Sequence, residues 1–237
     1  MKASLHLGLN CVDPDRYSGW DGALFNPERD AAAGAAMATL MGFSPMVLLS
    51  KNVSCDVFRN TVSSFIRQLQ PDEEFLLHYS GHGWRHLENY GVSYHEGICL
   101  YDGLFSDTEL HNILSMAAVG SDVTCIWDCC HAGGLDRAYN PFLARGRRAP
   151  EAVVRIMTQP EKEIKVKSGA AIKHLCACGD QETAADGDYG TNGAWTGSVT
   201  GAFDGFYQRG ETPSWELLFD VAKRDCEQFY QQHPVMK

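Results

Sequence analysis

Apolar residues along the chain fall into short runs separated by longer amphipathic stretches. The runs at 3–9 (ASLHLGL), 45–50 (PMVLLS), 73–80 (EEFLLHYS), 122–130 (DVTCIWDCC) and 170–179 (AAIKHLCACG) are apolar on both faces and of strand length. Between them, 26–43 predicts a helix, with Asn26 as cap, Pro27 in the first turn and Glu28 and Asp30 favouring the dipole. Residues 55–69 place Val57, Phe58, Val62, Phe65, Ile66 and Leu69 at helical spacing. Residues 106–117 carry Ser106 as cap and Glu109 in capping-box position, and 193–208 and 213–232 read as closing helices. Strands alternating with helices predict a parallel sheet covered on both faces, an α/β architecture. The stretch 136–169 has little periodicity, is rich in Arg, Lys and Pro, and reads as a long loop leaving the sheet.

The 237 residues suit one domain over 1–237. The net charge of −10 and the lack of a basic stripe argue against nucleic acid and anionic membrane as partners. No run approaches the roughly 18 apolar residues that span a bilayer, and the N-terminus is a poor signal peptide. Nine cysteines, an odd number without regular spacing, fit a reduced, cytoplasmic chain.

Reactive groups in open parallel sheets gather beyond the carboxyl ends of strands. Two predicted strands end unusually, in YSGHG, with His82 between Gly81 and Gly83, and in DCCHAGG, with Cys129, Cys130 and His131. Parallel strands would bring His82 and one cysteine to the same edge, the arrangement of a thiol nucleophile with its base. Gly81 and Gly83 leave the backbone open to a close-lying substrate. The competing readings are core cysteines, as for Cys125, and a metal site. Three consecutive ligand types at 129–131 are poor chelate geometry for zinc.

Together YSGHG and DCCHAGG resemble the motifs of the metacaspases, in particular the short bacterial caspase-like proteases called orthocaspases. The block at 24–31 and GDQETAAD at 179–186 fit the same family in order. The resemblance implies the caspase–haemoglobinase fold, an αβα sandwich around a mainly parallel six-stranded sheet. It implies His82 as general base and acid, Cys130 as nucleophile, and the backbone N–H groups of Gly83 and Cys130 as the oxyanion site. It further implies cleavage after Arg or Lys, with Asp30, Ser80, Asp128 and Asp180 in the S1 pocket.

Arg145, Arg147, Arg148, Lys165 and Lys167 are then candidate self-cleavage sites. Asp107 matches one calcium-ligand position of calcium-dependent relatives and Asp136 lies one residue away from another, so calcium stays open as a cofactor while none is required. The implied partner is a protein or peptide with a basic P1 residue, acted on by a monomer in stress, cell death or defence. Three functions compete: a cysteine endopeptidase, latent until a partner acts or not; a catalytically silent binding module on the same fold; and a metal or redox protein built on the cysteines.

Overall fold

A computed structural model describes residues 1–88, 93–130, 147–158, 169–179, 182, 184–187 and 191–237, with side chains of strand residues 87, 88, 93 and 94 left aside. A six-stranded sheet runs through its centre in the order β2-β1-β3-β7-β8-β9. Its strands are β1 (Lys2–Gly8), β2 (Ser44–Leu49), β3 (Glu74–Ser80), β7 (Asp122–Asp128), β8 (Ala171–Cys176) and β9 (Val235–Met236). All neighbours pair in parallel except β8 with β9.

Both sheet faces are apolar because successive side chains point opposite ways. Leu5, Leu7, Phe75, Leu77, Val123 and Cys125 face α2 (Cys55–Gln68) and α3 (Asp107–Leu114), which contribute Phe58, Val62, Ile66, Leu110 and Leu114. Leu76, Ile126 and Leu175 face the opposite way, toward α1 (Pro27–Leu40), α5 (Ala194–Tyr207) and α6 (Trp215–Tyr230) with Met37, Trp195, Phe203 and Leu218. The result is the expected αβα sandwich.

Ser54, Ser106 and Ser214 cap α2, α3 and α6, each accepting a hydrogen bond from the third residue onward. Asn26 makes no such cap; its side-chain amide donates instead to the Asp186 carbonyl at 2.6 Å.

Two local expectations need correction, and one small sheet was not foreseen. β2 is not buried: as the edge strand of the sheet it leaves Met46 43% and Val47 40% exposed. The stretch 83–106 forms a three-stranded antiparallel sheet, β4 (Gly83–Glu88), β5 (Ser93–Leu100) and β6 (Gly103–Ser106). Within 136–169, the expected loop contains a helix, α4 (Glu151–Met157), whose Val153 and Val154 pack with Val12, Tyr17, Trp84 and Cys99.

Candidate active site

Parallel pairing puts the ends of β1, β3 and β7 in one row, with Gly8 opposite Ser80 and Ser80 opposite Asp128. His82 and Cys130 lie just beyond the last two of these ends, on the same edge. Tyr79 fixes the turn between them: its hydroxyl donates to the carbonyls of His82 and Cys99, both at 2.8 Å.

His82 is buried. Its Nε2 lies 3.1 Å from the carbonyl of Gly22, and its ring packs against Trp20 with centroids 4.8 Å apart. A carbonyl can only accept, so the ring proton belongs on Nε2 and the lone pair on Nδ1. Nδ1 is buried without a well-formed hydrogen bond, and the Arg147 backbone acts with that of Gly22 to favour the protonated ring. Burial lowers the His82 pKa to about 4, against the opposing hydrogen bond to Gly22. Cys130 is fully buried, and its Sγ accepts from the Ala184 amide at 3.1 Å. Desolvation pushes its thiol up to about 12. Both groups are therefore neutral at pH 7.

Arg147 fills the space between the strand ends. Its Nη2 reaches Asp30 at 2.7 Å and Asp186 at 2.8 Å. Its Nη1 donates to Ser80 Oγ at 2.6 Å and to the Asp128 carbonyl at 2.9 Å, and pairs with the Asp128 carboxylate at 3.0 Å. The arginine and the three carboxylates are all fully buried. Burial opposes the charge on Arg147, but Asp128, Asp30 and Asp186 outweigh it and hold the guanidinium protonated. The first turn of α5 completes the pocket, with the amide of Gly193 on Asp30 and that of Thr196 on Asp128, both at 2.8 Å. Burial nevertheless raises Asp128 to about 6.

The Arg147 backbone is held as firmly as its side chain. Its amide donates to the Ala184 carbonyl at 3.2 Å. Its carbonyl accepts from the amides of Gly83 at 3.0 Å and Cys130 at 3.3 Å. Only glycine fits at position 83, because a Cβ there would lie 1.7 Å from the Cys130 carbonyl oxygen. Two residues on, the Ala149 amide donates to the Gly83 carbonyl at 2.9 Å.

The expected residues Asp30, Ser80, His82, Gly83, Asp128, Cys130 and Arg147 thus meet at one place. Arg148 is half-buried beside Gly83. Asp180, Arg145, Lys165, Lys167 and Asp136 lie outside the described residues. Asp107 stands exposed at the start of α3, its carboxylate accepting from Thr108 N–H at 2.7 Å. Among the described residues no three His, Cys, Asp or Glu side chains gather as a metal site, and the nine cysteines form no disulfide. Asp186, Ala184, Gly193, Trp20 and Gly22 were not anticipated. Only Asp186 had a readable signal, as the second aspartate of GDQETAAD.

Residues 12–237 match the family model of the caspase domain. Metacaspase-2 of Arabidopsis thaliana is 24% identical over 172 residues, covering 69% of this chain and 41% of that protein. The chain therefore spans well under half the length of that curated relative. The crystal structure of protein GSU0716 from Geobacter sulfurreducens superposes with a TM-score of 0.80 at 26% identity, covering 100% of this chain and 92% of that one.

Proposed function

The chain belongs to the caspase family of cysteine peptidases, and from that premise we propose that it cuts polypeptides after arginine, using Cys130 as nucleophile and His82 as base. The observation that carries the reading is a single arginine with its guanidinium among Asp30, Ser80, Asp128 and Asp186 while its own carbonyl sits on two converging amides. A peptidase needs this pairing, a pocket for one side chain and donors for the adjoining carbonyl.

Cys130 rests as a thiol and His82 as a neutral imidazole, so the proton moves as the bond forms. The bare Nδ1 of His82 takes it while Sγ adds to the carbonyl carbon. The amides of Gly83 and Cys130 then face the developing oxyanion, an effect worth about 3 kcal/mol per donor in such sites. His82 returns the proton to the leaving amine, and water releases the acyl group.

Arginine suits the pocket better than lysine. The two terminal nitrogens of a guanidinium reach Ser80 and Asp128 on one side and Asp30 and Asp186 on the other, whereas an ammonium is a single point. Fluorogenic peptides differing only in P1 test this. Arg should be hydrolysed at least tenfold faster than Lys, with Asp inert, and Cys130→Ala and His82→Ala should each abolish turnover. Hydrolysis that survives Cys130→Ala would reject the assignment.

A further inference from the structure

We propose that His6 and His78 form a buried hydrogen-bond relay that directs the Thr196 hydroxyl onto Asp128, which makes His78 a positioning residue for recognition of the substrate guanidinium. The inference rests on the arginine-specific reading of the pocket. The two imidazoles lie on the sheet face that otherwise carries Leu76, Ile126 and Leu175. His6 on β1 and His78 on β3 are register partners, and both are buried. Gly34 on α1 makes room for them: a Cβ there would lie 2.4 Å from His78 Nδ1 and 3.0 Å from His6 Nδ1. Two apolar side chains would fill the same slot without burying polar groups, so packing alone does not account for the pair.

The contacts run in one direction, toward the pocket. Ser4 Oγ lies 2.9 Å from His6 Nε2, His6 Nδ1 lies 3.4 Å from His78 Nδ1, and His78 Nε2 lies 3.2 Å from Thr196 Oγ1. Thr196 stands in the first turn of α5, and its amide donates to Asp128 Oδ2 at 2.8 Å. Burial raises Asp128, and against it work Arg147 and both the amide and the hydroxyl of Thr196. A hydroxyl has a single proton, so one turned to the carboxylate leaves only lone pairs for His78. That sets every earlier link. His78 carries its proton on Nε2 and donates to Thr196. Its bare Nδ1 accepts from His6 Nδ1, and the bare Nε2 of His6 accepts from the Ser4 hydroxyl.

A helical threonine otherwise turns its hydroxyl back to the carbonyl four residues earlier, as Thr200 does in donating to the Thr196 carbonyl at 2.8 Å. With the His78 N–H on one lone pair, the Thr196 hydroxyl is held to Asp128 instead. The relay keeps one protonation state across the neutral range. Burial lowers His6 to about 2, helped by His78, and lowers His78 to about 3, helped by Arg147. The other titratable groups facing its pocket end are Arg147, Asp30 and Asp186, with Cys226 on α6. Titration of activity near neutral pH therefore reports the pocket acids and not the relay.

Two measurements test the relay. In wild type, long-range proton–nitrogen NMR of histidine-labelled protein should show His6 as the Nδ1–H tautomer and His78 as the Nε2–H tautomer. The reverse pair would overturn the relay whatever the activity. The second measurement compares His78→Gln, whose amide keeps a donor where Nε2 stood, with His78→Asn, which keeps one only at the Nδ1 position. His78→Asn and Thr196→Val should each lower kcat/KM for an Arg peptide about tenfold and move its acid limb up by about one pH unit, because a carboxylate that loses a hydrogen bond is harder to ionise. His78→Gln should recover most of that loss, and all variants should melt cooperatively. Combining His78→Asn with Thr196→Val should cost no more than Thr196→Val alone, since both act through one hydroxyl. Additive losses, an unmoved acid limb, or a His78→Gln as impaired as His78→Asn would reduce His78 to a packing residue and leave the arginine specificity intact. Wild type that hydrolyses no Arg peptide would instead sink that specificity, and with it the role of the relay in recognition.

Discussion

Asp186 shows how one carboxylate can serve two sides of a pocket. Its Oδ1 meets the guanidinium at 2.8 Å, while its Oδ2 accepts from the Phe25 amide at 2.7 Å. That second bond ties the entry to α1, and with it Asp30, to the loop after β8. Asp186→Asn would remove one charge but preserve most of this shape. Breaking a buried, hydrogen-bonded charge pair costs about 2–5 kcal/mol, so kcat/KM for an Arg peptide should fall about thirtyfold or more. An unchanged kcat/KM would remove Asp186 from substrate recognition.

The acid chosen from GDQETAAD on sequence was Asp180, and nothing in the composition of that block separates it from Asp186. What separates them is tertiary: Gln232 donates to the Ala177 carbonyl at 2.7 Å and accepts from the Ala185 amide at 2.9 Å, pinning the second half of the block over the sheet end. That anchor comes from the far end of the chain and has no local sequence signal. His82 and Cys130 were legible because glycines and paired motifs flank them. Trp20 and Gly22 sit in a loop without periodicity, and only the folded chain brings them to the imidazole.

At the scale of elements, the first turn of α5 holds the pocket together. Gly193 occupies the N-cap with φ −55° and ψ 151°, a conformation open to any residue. Glycine is needed there for room alone: a Cβ would lie 2.4 Å from Arg147 Nη2 and 2.7 Å from Asp128 Oδ2. Gly193→Ala should therefore fold and melt cooperatively, yet lose more than about a hundredfold in kcat/KM on Arg peptides, since over a close-packed charge pair no small relaxation restores contact. A variant with wild-type kcat/KM would show that α5 does not close the pocket.

The helices bearing caps and helical periodicity were readable along the chain, and so were the buried parallel strands, because burial on two faces leaves a continuous apolar run. β4 to β6 were not, since Trp84, Ile98, Cys99 and Phe105 are spread among polar residues and are buried against elements distant in sequence. β2 was legible as a strand but misjudged in burial. Its apolar run, exposed at Met46 and Val47, matches that of a central strand, and only its position in the sheet order distinguishes the two.

At the scale of the whole molecule, four histidines among the described residues are held neutral by the fold, which makes stability depend on pH in a definite direction. Burial lowers His6 to about 2, with His78 adding to the effect. It also lowers His78 to about 3, and His82 and His174 to about 4. Unfolded, each returns to an ordinary value near 6.5. Below that pH the unfolded chain binds protons that the folded chain refuses, so stability is full above about 6.5 and drains away as pH falls. Each histidine contributes a slope of about 1.4 kcal/mol per pH unit until its folded value is reached. Asp128, raised by burial, works in the opposite direction between about 6 and the ordinary carboxylate range, and offsets roughly one of the four. His174 offers the cleanest test. Its Nδ1 accepts from Trp127 Nε1 at 3.0 Å, so protonation must break that bond. In Cys130→Ala, urea midpoints at constant m should fall steeply from pH 7 to pH 5. Adding His174→Gln, whose side-chain carbonyl can still accept from Trp127, should flatten that fall by about 1.4 kcal/mol per pH unit. An unchanged slope would mean that His174 takes up its proton without unfolding, and that the buried pair His6 and His78, together with His82, carries the whole acid response.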